Sequence, residues 1–535
     1  MHLAASRGAF PKLLVLMIAL IVSVWTTGSA QAEVTAFKQA VAEAAAKDKS
    51  IAAFYKANGY KPIFTSKKDR GRRSALLKAF SMAGDHGLPT KRYMPAELKA
   101  IFKAAKSERD RGKAEVAAAK MFVSYARDIQ TGAVIPSRID SGIVRNIPRR
   151  DPAQLLAAFA TSSPSGFLKS LAPRTPEYAR LMKAKLQFEK LVAKGGWGAP
   201  VKAKSLKPGD SGASVVALRN RLIAMGYMKR NAGQSYDGNM QKSVQQFQLN
   251  HGLSADGVAG QGTIAEVNTT ATKRLQHIIV AMERERWMNK ERGKRHVLVN
   301  ITDFSAKIVD SGKTTFQTRS VVGANTSDRR TPEFSDIMEH MVINPTWNVP
   351  RSIATKEYLP LFKKNRNAAA HLRLIDRRGQ VVNRANVNFA AMNEKNFPFD
   401  IKQPPSRRNA LGLVKFMFPN KHNIYLHDTP QKALFARETR AFSHGCVRLN
   451  DPFDFAYALL AKQEKNPADF FQSRLKTGRE TVVPLKSHVP VHLIYRTAFT
   501  QPKGKINFRR DIYSRDAAIF KALQNAGVVL RAVRS

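Results

Sequence analysis

The residues best suited to chemistry in this 535-residue chain lie in one run, Ser443-His444-Gly445-Cys446-Val447-Arg448, which contains its only cysteine. Exported proteins mostly use cysteine in disulfide pairs, and the N-terminus here reads as an export signal, so an unpaired thiol calls for another role. It can bridge to a second chain, sit inert in a core, or act as a nucleophile. Attack on a carbonyl needs the thiolate, hence a base or a positive setting nearby. A histidine two residues before the thiol and an arginine two residues after it supply both.

Three histidines, His422, His427 and His444, are close enough in sequence to serve as the base. Asn423-Ile424-Tyr425-Leu426-His427 reads as a strand, with Ile424 and Leu426 on one face and Tyr425 and His427 on the other. An apolar face turned inward leaves Tyr425 and His427 facing a site, and the nineteen residues from His427 to Cys446 are ample for the chain to turn and come back beside it. His444 is the rival base by adjacency, whereas His422 reads as a surface histidine. Asn450-Asp451-Pro452, followed by Phe453, Phe455, Ala456, Leu459 and Leu460, reads as a capped helix, so Cys446 is expected on a tight loop just before a helix. Ser443 and Gly445 let that loop bend closely, and its successive N–H groups can hold a developing oxyanion. Arg448 favours thiolate and can grip a carboxylate through two hydrogen bonds. The three histidines and Cys446 also raise zinc, but they lack the Cys-x-x-Cys or His-x-x-x-His spacing of common sites.

The rest of the chain must position these groups. Arg7 and Lys12, an apolar run from Leu13 to Trp25, and Ala30-Gln31-Ala32 before Glu33 describe a secretory signal peptide over 1–32 and a periplasmic destination. The alternative is an uncleaved inner-membrane anchor, for which the run is short of the about 20 apolar residues a span needs. Eighty-nine Lys and Arg against 40 Asp and Glu give a formal charge of +49, which implies polyanionic surroundings. Anionic membrane or wall polymers fit an exported protein with scattered basic residues; nucleic acid does not.

Residues 33–204 read as a helical scaffold rich in Ala, Lys and Leu, with helices over Ala36 to Tyr55, Ser74 to Ala83, Pro95 to Lys106 and Ala114 to Gln130. The glycines around Trp197 end it. Residues 205–268 hold three short helices, and 269–292 add another that returns to the scaffold. After Gly293 the hydrophobic period changes from 3.6 to 2, with strands at His296 to Ile301, Phe304 to Val309 and Thr315 to Val322 and a hairpin turn at Asp310-Ser311-Gly312-Lys313. Residues 293–500 are therefore expected to be mainly β. Within them 350–413 reads as a long irregular insertion able to cap a cleft, and 501–535 as a C-terminal tail. The fold class is α+β, multidomain.

Two resemblances follow. Leu218-Arg219 through Gly226-Tyr227, Ser243-Val244-Gln245-Gln246-Phe247-Gln248, Gly252-Leu253, Asp256-Gly257 and Thr263 resemble the three-helix peptidoglycan-binding domain. His427, a gap, then Ser443-His444-Gly445-Cys446 with Arg448 two beyond, resemble the catalytic domain of YkuD-type L,D-transpeptidases, a β sandwich. Asn344 to Pro350, Tyr425 to Asp428, Tyr495 to Ala498, Phe508-Arg509 through Tyr513, and Arg286-Trp287 are similar to its large periplasmic YcbB-type subgroup, which joins a helical scaffold, a peptidoglycan-binding module and a capped catalytic domain. The helix at Met282 to Trp287 departs from that subgroup in having one aromatic where two are usual.

The resemblance implies Cys446 as nucleophile and His427 as its base, with the main-chain carbonyl of Asp428 orienting the imidazole. His444, Gly445 and Cys446 would shape the loop and oxyanion hole. Tyr425, Trp347, Arg448 and Ser443 would serve the substrate side with Asp428. It implies a thioester formed on the third residue of a tetrapeptide stem, departure of the terminal D-alanine, and transfer to the amine of another stem as a 3→3 cross-link. Peptidoglycan stems would be both donor and acceptor, and no metal, ATP or organic cofactor is needed. The same acyl-enzyme can pass to water or to a protein lysine. A non-catalytic wall-binding protein working through 205–268 is the alternative of a different class.

Overall fold

A computed structural model describes residues 35–530; the signal-peptide reading of 1–32 lies outside the described residues. The first helical stretch is two helices, Ala36–Ala45 and Lys49–Ala57, because Asp48 turns extended and its carboxylate accepts the Ile51 N–H at 3.0 Å. The central helix Glu108–Thr131 starts at a capping box of Ser107 and Asp110. Gly112 lets Ala36–Ala45 cross it closely, since a Cβ there would lie 2.7 Å from Ala40 Cβ. Phe122 stacks on Phe159 at 4.5 Å in the core of this part. Glu115, fully buried, accepts the N–H groups of Ile63, Phe64 and Thr65 and the hydroxyls of Tyr55 and Thr65, which anchors the connecting segment around it.

The helix Pro176–Ala193 leads to the small module, whose helices Ala213–Ala224, Gly238–His251 and Gln261–Asn268 close round Leu218, Val244 and Phe247. Gly252 ends the second helix at φ +68°, the left-handed cap glycine adopts most readily. The next helix, Ala271–Trp287, packs against Pro176–Ala193 and is buried over nearly its whole length. Its charges are consequently paired: Glu283 with Arg286, Arg284 with Glu333 and Asp516, and Glu285 with Arg292 and Arg496.

The β part opens with β1 (Arg295–Asn300), β2 (Ser305–Asp310), β3 (Lys313–Gly323) and β4 (Ser335–Ile343). Ser311 and Gly312, at φ +49° and +81°, make the hairpin turn the sequence suggests. The inserted segment is ordered rather than irregular. β5 (Trp347–Asn348), β6 (Arg373–Ile375), β7 (Val381–Val382) and β8 (Asp400–Gln403) form a separate four-stranded sheet, packed with the helical run from Arg351 to Lys364 round Leu359, Phe362, Leu374 and Ile401. Strands of two to four residues leave no period to read.

β9 (Val414–Met417), β10 (Leu426–His427), β11 (Ala441–Ser443), β12 (Val447–Leu449) and β13 (Thr481–Ile494) complete the main sheet, in the order β11-β3-β12-β10-β9-β4-β13-β1-β2. β2 also pairs with β3, so the sheet closes on itself. Residues beyond 500, read as a tail, fold back. Asn507–Phe508 pairs with Ala498–Phe499, and helix Arg515–Asn525 buries Ile519, Phe520 and Leu523 in the cluster shared with Leu275, Ile279 and Trp287. That helix begins at Ser514 without a side-chain cap, so its start carries no sequence signal. No described helix is long and apolar enough to cross a membrane.

Candidate active site

β10 lies between β9, antiparallel, and β12, parallel. It is shorter than the expected strand because Asn423 is left-handed at φ +52°, in a turn organised by Asn420, whose amide donates to Phe418 O and Ile424 O and whose Oδ1 accepts from His422 and Ile424. The parallel register sets His427 opposite Arg448 and Leu426 opposite Val447. Tyr425 is thereby level with Cys446, and the Val447 N–H donates to Tyr425 O at 3.0 Å.

Cys446 therefore sits in the link between β11 and β12, not directly before a helix. Val447–Leu449 first pairs with β3 and β10, and only then does helix Pro452–Leu460 begin. Asp451 accepts from Thr318 Oγ1 at 2.7 Å instead of capping that helix. The field of a helix N-terminus fades within a turn, so it contributes little at the thiol. Gly445, at φ +117°, is where the link bends, and a Cβ there would press on Ile424 Cδ1 at 3.0 Å. Its carbonyl accepts from Thr331 Oγ1 at 2.7 Å, and its N–H donates to Ser443 Oγ at 3.1 Å, while that hydroxyl donates to Cys446 O at 2.5 Å. Ser443 thus acts as a brace of the bend. With the Gly445 N–H committed to Ser443, the Cys446 N–H is a donor without a hydrogen-bond partner among the described residues.

A cavity of about 520 Å³ opens over these groups, and Trp347, Tyr425, His427, Ser443, Cys446 and Arg448 all line it. Asp428, expected on the substrate side, does not. Its carboxylate is buried, accepting from Leu413 N–H at 2.9 Å and pairing with Lys432 at 2.7 Å, and its carbonyl accepts the His427 Nδ1–H at 2.5 Å. Because a carbonyl can only accept, Nδ1 carries the proton and Nε2 keeps the lone pair. Burial, with the Arg448 guanidinium close by, lowers the His427 pKa to about 3. Burial also pushes the Cys446 thiol up to about 11, against the opposing effects of hydrogen bonds from Tyr425 and the charge of Arg448. Both shifts favour the neutral thiol and the neutral imidazole. The thiol in this state donates to Asn423 O at 3.4 Å.

His444 is placed differently from a base. Its Nε2 meets Glu357 Oε1 at 2.6 Å, and the same oxygen accepts from Arg329 at 2.6 Å. Glu357 belongs to a π-helical turn, Ala354–Tyr358, in the inserted segment. That wider turn comes just before Pro360, whose ring would clash with the carbonyl four residues back in an ordinary helix. His422 also lines the cavity, so it is not merely a surface residue. Arg448 donates to Gln431 Oε1 at 2.6 Å, and its Nε is buried without a partner. Among the described residues no three His, Cys, Asp or Glu side chains converge as a metal site.

Residues 294–479 match the model of the YkuD L,D-transpeptidase catalytic domain. Residues 211–266 match the model described as "Putative peptidoglycan binding domain", and 49–184 match a scaffold domain. A curated Haemophilus influenzae protein named "Putative L,D-transpeptidase" is 33% identical over 229 residues, 42% of this chain and 45% of that protein, so the matched span is under half of its length. Crystal structures of L,D-transpeptidases from Xylanimonas cellulosilytica (13% identity, 55% of this chain, 100% of theirs, TM-score 0.16) and Stackebrandtia nassauensis (14%, 56%, 97%, 0.22) are likenesses too loose to build on.

Residues 294–479 contain several site groups that motif reading passed over: Asn423, Glu357, Arg329, Gln431 and Thr331. Glu357 lies 87 positions from His444, beyond any local spacing. Asn423 did carry a signal, as asparagine tolerates the left-handed region better than most residues.

Proposed function

We propose that this chain is a peptidoglycan L,D-transpeptidase that works through a thioester on Cys446. The observation that carries the reading is the shared cavity: Cys446, the oriented imidazole of His427 and Tyr425 line one space where two parallel strands begin, beside the inserted segment. A stem peptide entering the cavity draws the thiol from Asn423 O toward the Nε2 lone pair of His427. The thiol proton passes to Nε2 as sulfur attacks the carbonyl of the third stem residue, and the Cys446 N–H faces the developing oxyanion. The imidazolium then protonates the departing amine of D-alanine. An acceptor amine attacks the thioester, gives up its proton through His427 and leaves a 3→3 link, with the thiol regenerated. Because the resting pair is neutral, proton transfer accompanies attack. Arg448 and the Tyr425 hydroxyl stabilise the sulfur's charge as it forms, and Trp347 walls the donor side.

The match of 211–266 to a peptidoglycan-binding model supports the wall as substrate. Export to the periplasm through residues 1–32 and the YcbB-type subgroup belong to the same proposal. Incubating purified protein with tetrapeptide-bearing sacculi and analysing muropeptides by mass spectrometry tests it. The expected result is 3→3 dimers and an acyl-enzyme mass on the intact chain, both lost in Cys446→Ala with unchanged circular dichroism. Dimers formed by Cys446→Ala would sink the proposal; tripeptides without dimers would redirect the acyl-enzyme to water.

A further inference from the structure

A second cavity, about 530 Å³, shares no lining residue with the one over Cys446. Its walls come from three places: helix Pro176–Ala193, the small module with the Trp197 linker before it, and the 500–508 segment that follows the main sheet. Trp197 and Tyr227 are half-buried there beside Phe508, and Trp197 stands edge-on to Phe188 at 5.7 Å. The cationic residues are Arg180, Lys183 and Lys505, and the residues lining the cavity include no Asp or Glu. Two of these cations are held in place. Arg180 donates to Thr500 Oγ1 at 2.6 Å and pairs with Glu177 at 3.2 Å, and Lys505 Nζ reaches Met225 O at 3.3 Å and lies 5.0 Å over the Tyr227 ring. Lys183 is exposed and, among the described residues, has neither an ion-pair nor a hydrogen-bond partner.

A concave site with aromatic faces and two lysines, Lys183 and Lys505, that no carboxylate pairs among the described residues selects a ligand with flat amphipathic rings and carboxylates. Sugar rings present C–H faces to aromatics, and stem peptides end in carboxylates. We propose that this seam binds a carboxylate-bearing glycopeptide of the wall, a disaccharide with its stem, with sugar against Trp197 and Tyr227 and stem carboxylates on Lys183 and Lys505. Wall binding then belongs to the scaffold, the module and the 500–508 segment together, not to the module alone. Single-stranded nucleic acid offers rings and anions too, but Tyr227 and His251 lie within the residues matching a peptidoglycan-binding model. The proposal rests on the functional reading above only in taking the wall as ligand.

Hydrogen exchange on the full chain, with Cys446→Ala to prevent turnover, separates the two cavities. Soluble disaccharide-tetrapeptide is expected to protect 176–197 and 500–508 as well as 425–448. Lys183→Glu and Trp197→Ala should each weaken protection at the seam at least tenfold in ligand concentration while 425–448 stays protected, and amidating the stem carboxylates should do the same. Iodoacetamide alkylation of Cys446 at the parental rate in chains carrying only the seam substitutions checks the fold. Seam protection indifferent to both substitutions, or stronger protection by an oligonucleotide of equal charge, overturns the proposal. Lys183-dependent seam protection without any acyl-enzyme in the unmodified chain would refute the transferase reading alone; an acyl-enzyme without seam protection would refute this one alone.

Discussion

Iodoacetamide titration of Cys446 tests the electrostatics of the site directly. The reagent captures thiolate, so its rate follows the ionised fraction. With the pKa pushed to about 11 by burial, about one thiol in 10,000 is ionised at pH 7, against roughly 3% for an ordinary cysteine at about 8.5. Alkylation at pH 7 should therefore be slower by about 300-fold, before any steric factor. Steric screening is independent of pH, so the informative quantity is the shape of the profile: the rate should climb about tenfold per pH unit from 6 to 10 without levelling. Intact-mass spectrometry reads this cleanly, because the chain has no other cysteine to alkylate. Arg448→Gln removes a charge that opposes the upward shift, and Tyr425→Phe removes a hydrogen bond that does the same, so both should slow alkylation at a given pH. A wild-type plateau at pH 8 or below would mark a resting thiolate–imidazolium pair and refute the neutral-pair account of the mechanism.

Acid should unfold this protein early. Burial lowers the pKa of His251, His277 (to about 3) and His492 (to about 4) in the folded chain. Their contribution is present above the unfolded value of about 6.5 and is lost as pH falls toward the folded values, at about 2 kcal/mol each for His277 and His492 by pH 5. A denaturant midpoint unchanged between pH 7 and 5 would contradict this. Gly112→Ala should lower the melting temperature although alanine is the better helix former by up to about 1 kcal/mol, because its Cβ meets Ala40 Cβ and Phe37 O at 2.7 Å. A raised melting temperature would show that the helix crossing yields without cost. Glu357→Gln weakens the tie between the inserted segment and His444 and Arg329, a half-exposed contact whose loss should barely change global stability. Hydrogen exchange over 351–364 should nonetheless quicken severalfold, and unchanged exchange there would mean that the apolar cluster of the insertion alone holds it down.

What could be read from the sequence was local, and what could not was set by distant partners. The hairpin at Ser311-Gly312, the glycine ending Gly238–His251 and the shared side of Tyr425 and His427 follow from turn chemistry and two-residue alternation, which neighbours in the chain decide. The inserted sheet escaped because strands this short carry no period, and the helix Arg515–Asn525 because it starts uncapped and is held by Ile519, Phe520 and Leu523 against residues some 240 positions earlier. The site divides in the same way. Cys446, His427 and the braces Ser443 and Gly445 announce themselves within twenty residues, whereas Glu357 and the pairing of β3 with β12 arise only from packing.

That division bears on the role of His444. Sequence adjacency made it a rival base, but its Nε2 already meets a carboxylate from the insertion. The histidine that could accept the thiol proton is the one whose Nδ1–H is fixed by a main-chain carbonyl, because that contact survives any side-chain rearrangement in the cap. A base must keep its tautomer through every turnover, whatever side chains of the segment above it do. His427, on the inner strand, meets that condition; His444 depends on Glu357, a side chain of the inserted segment.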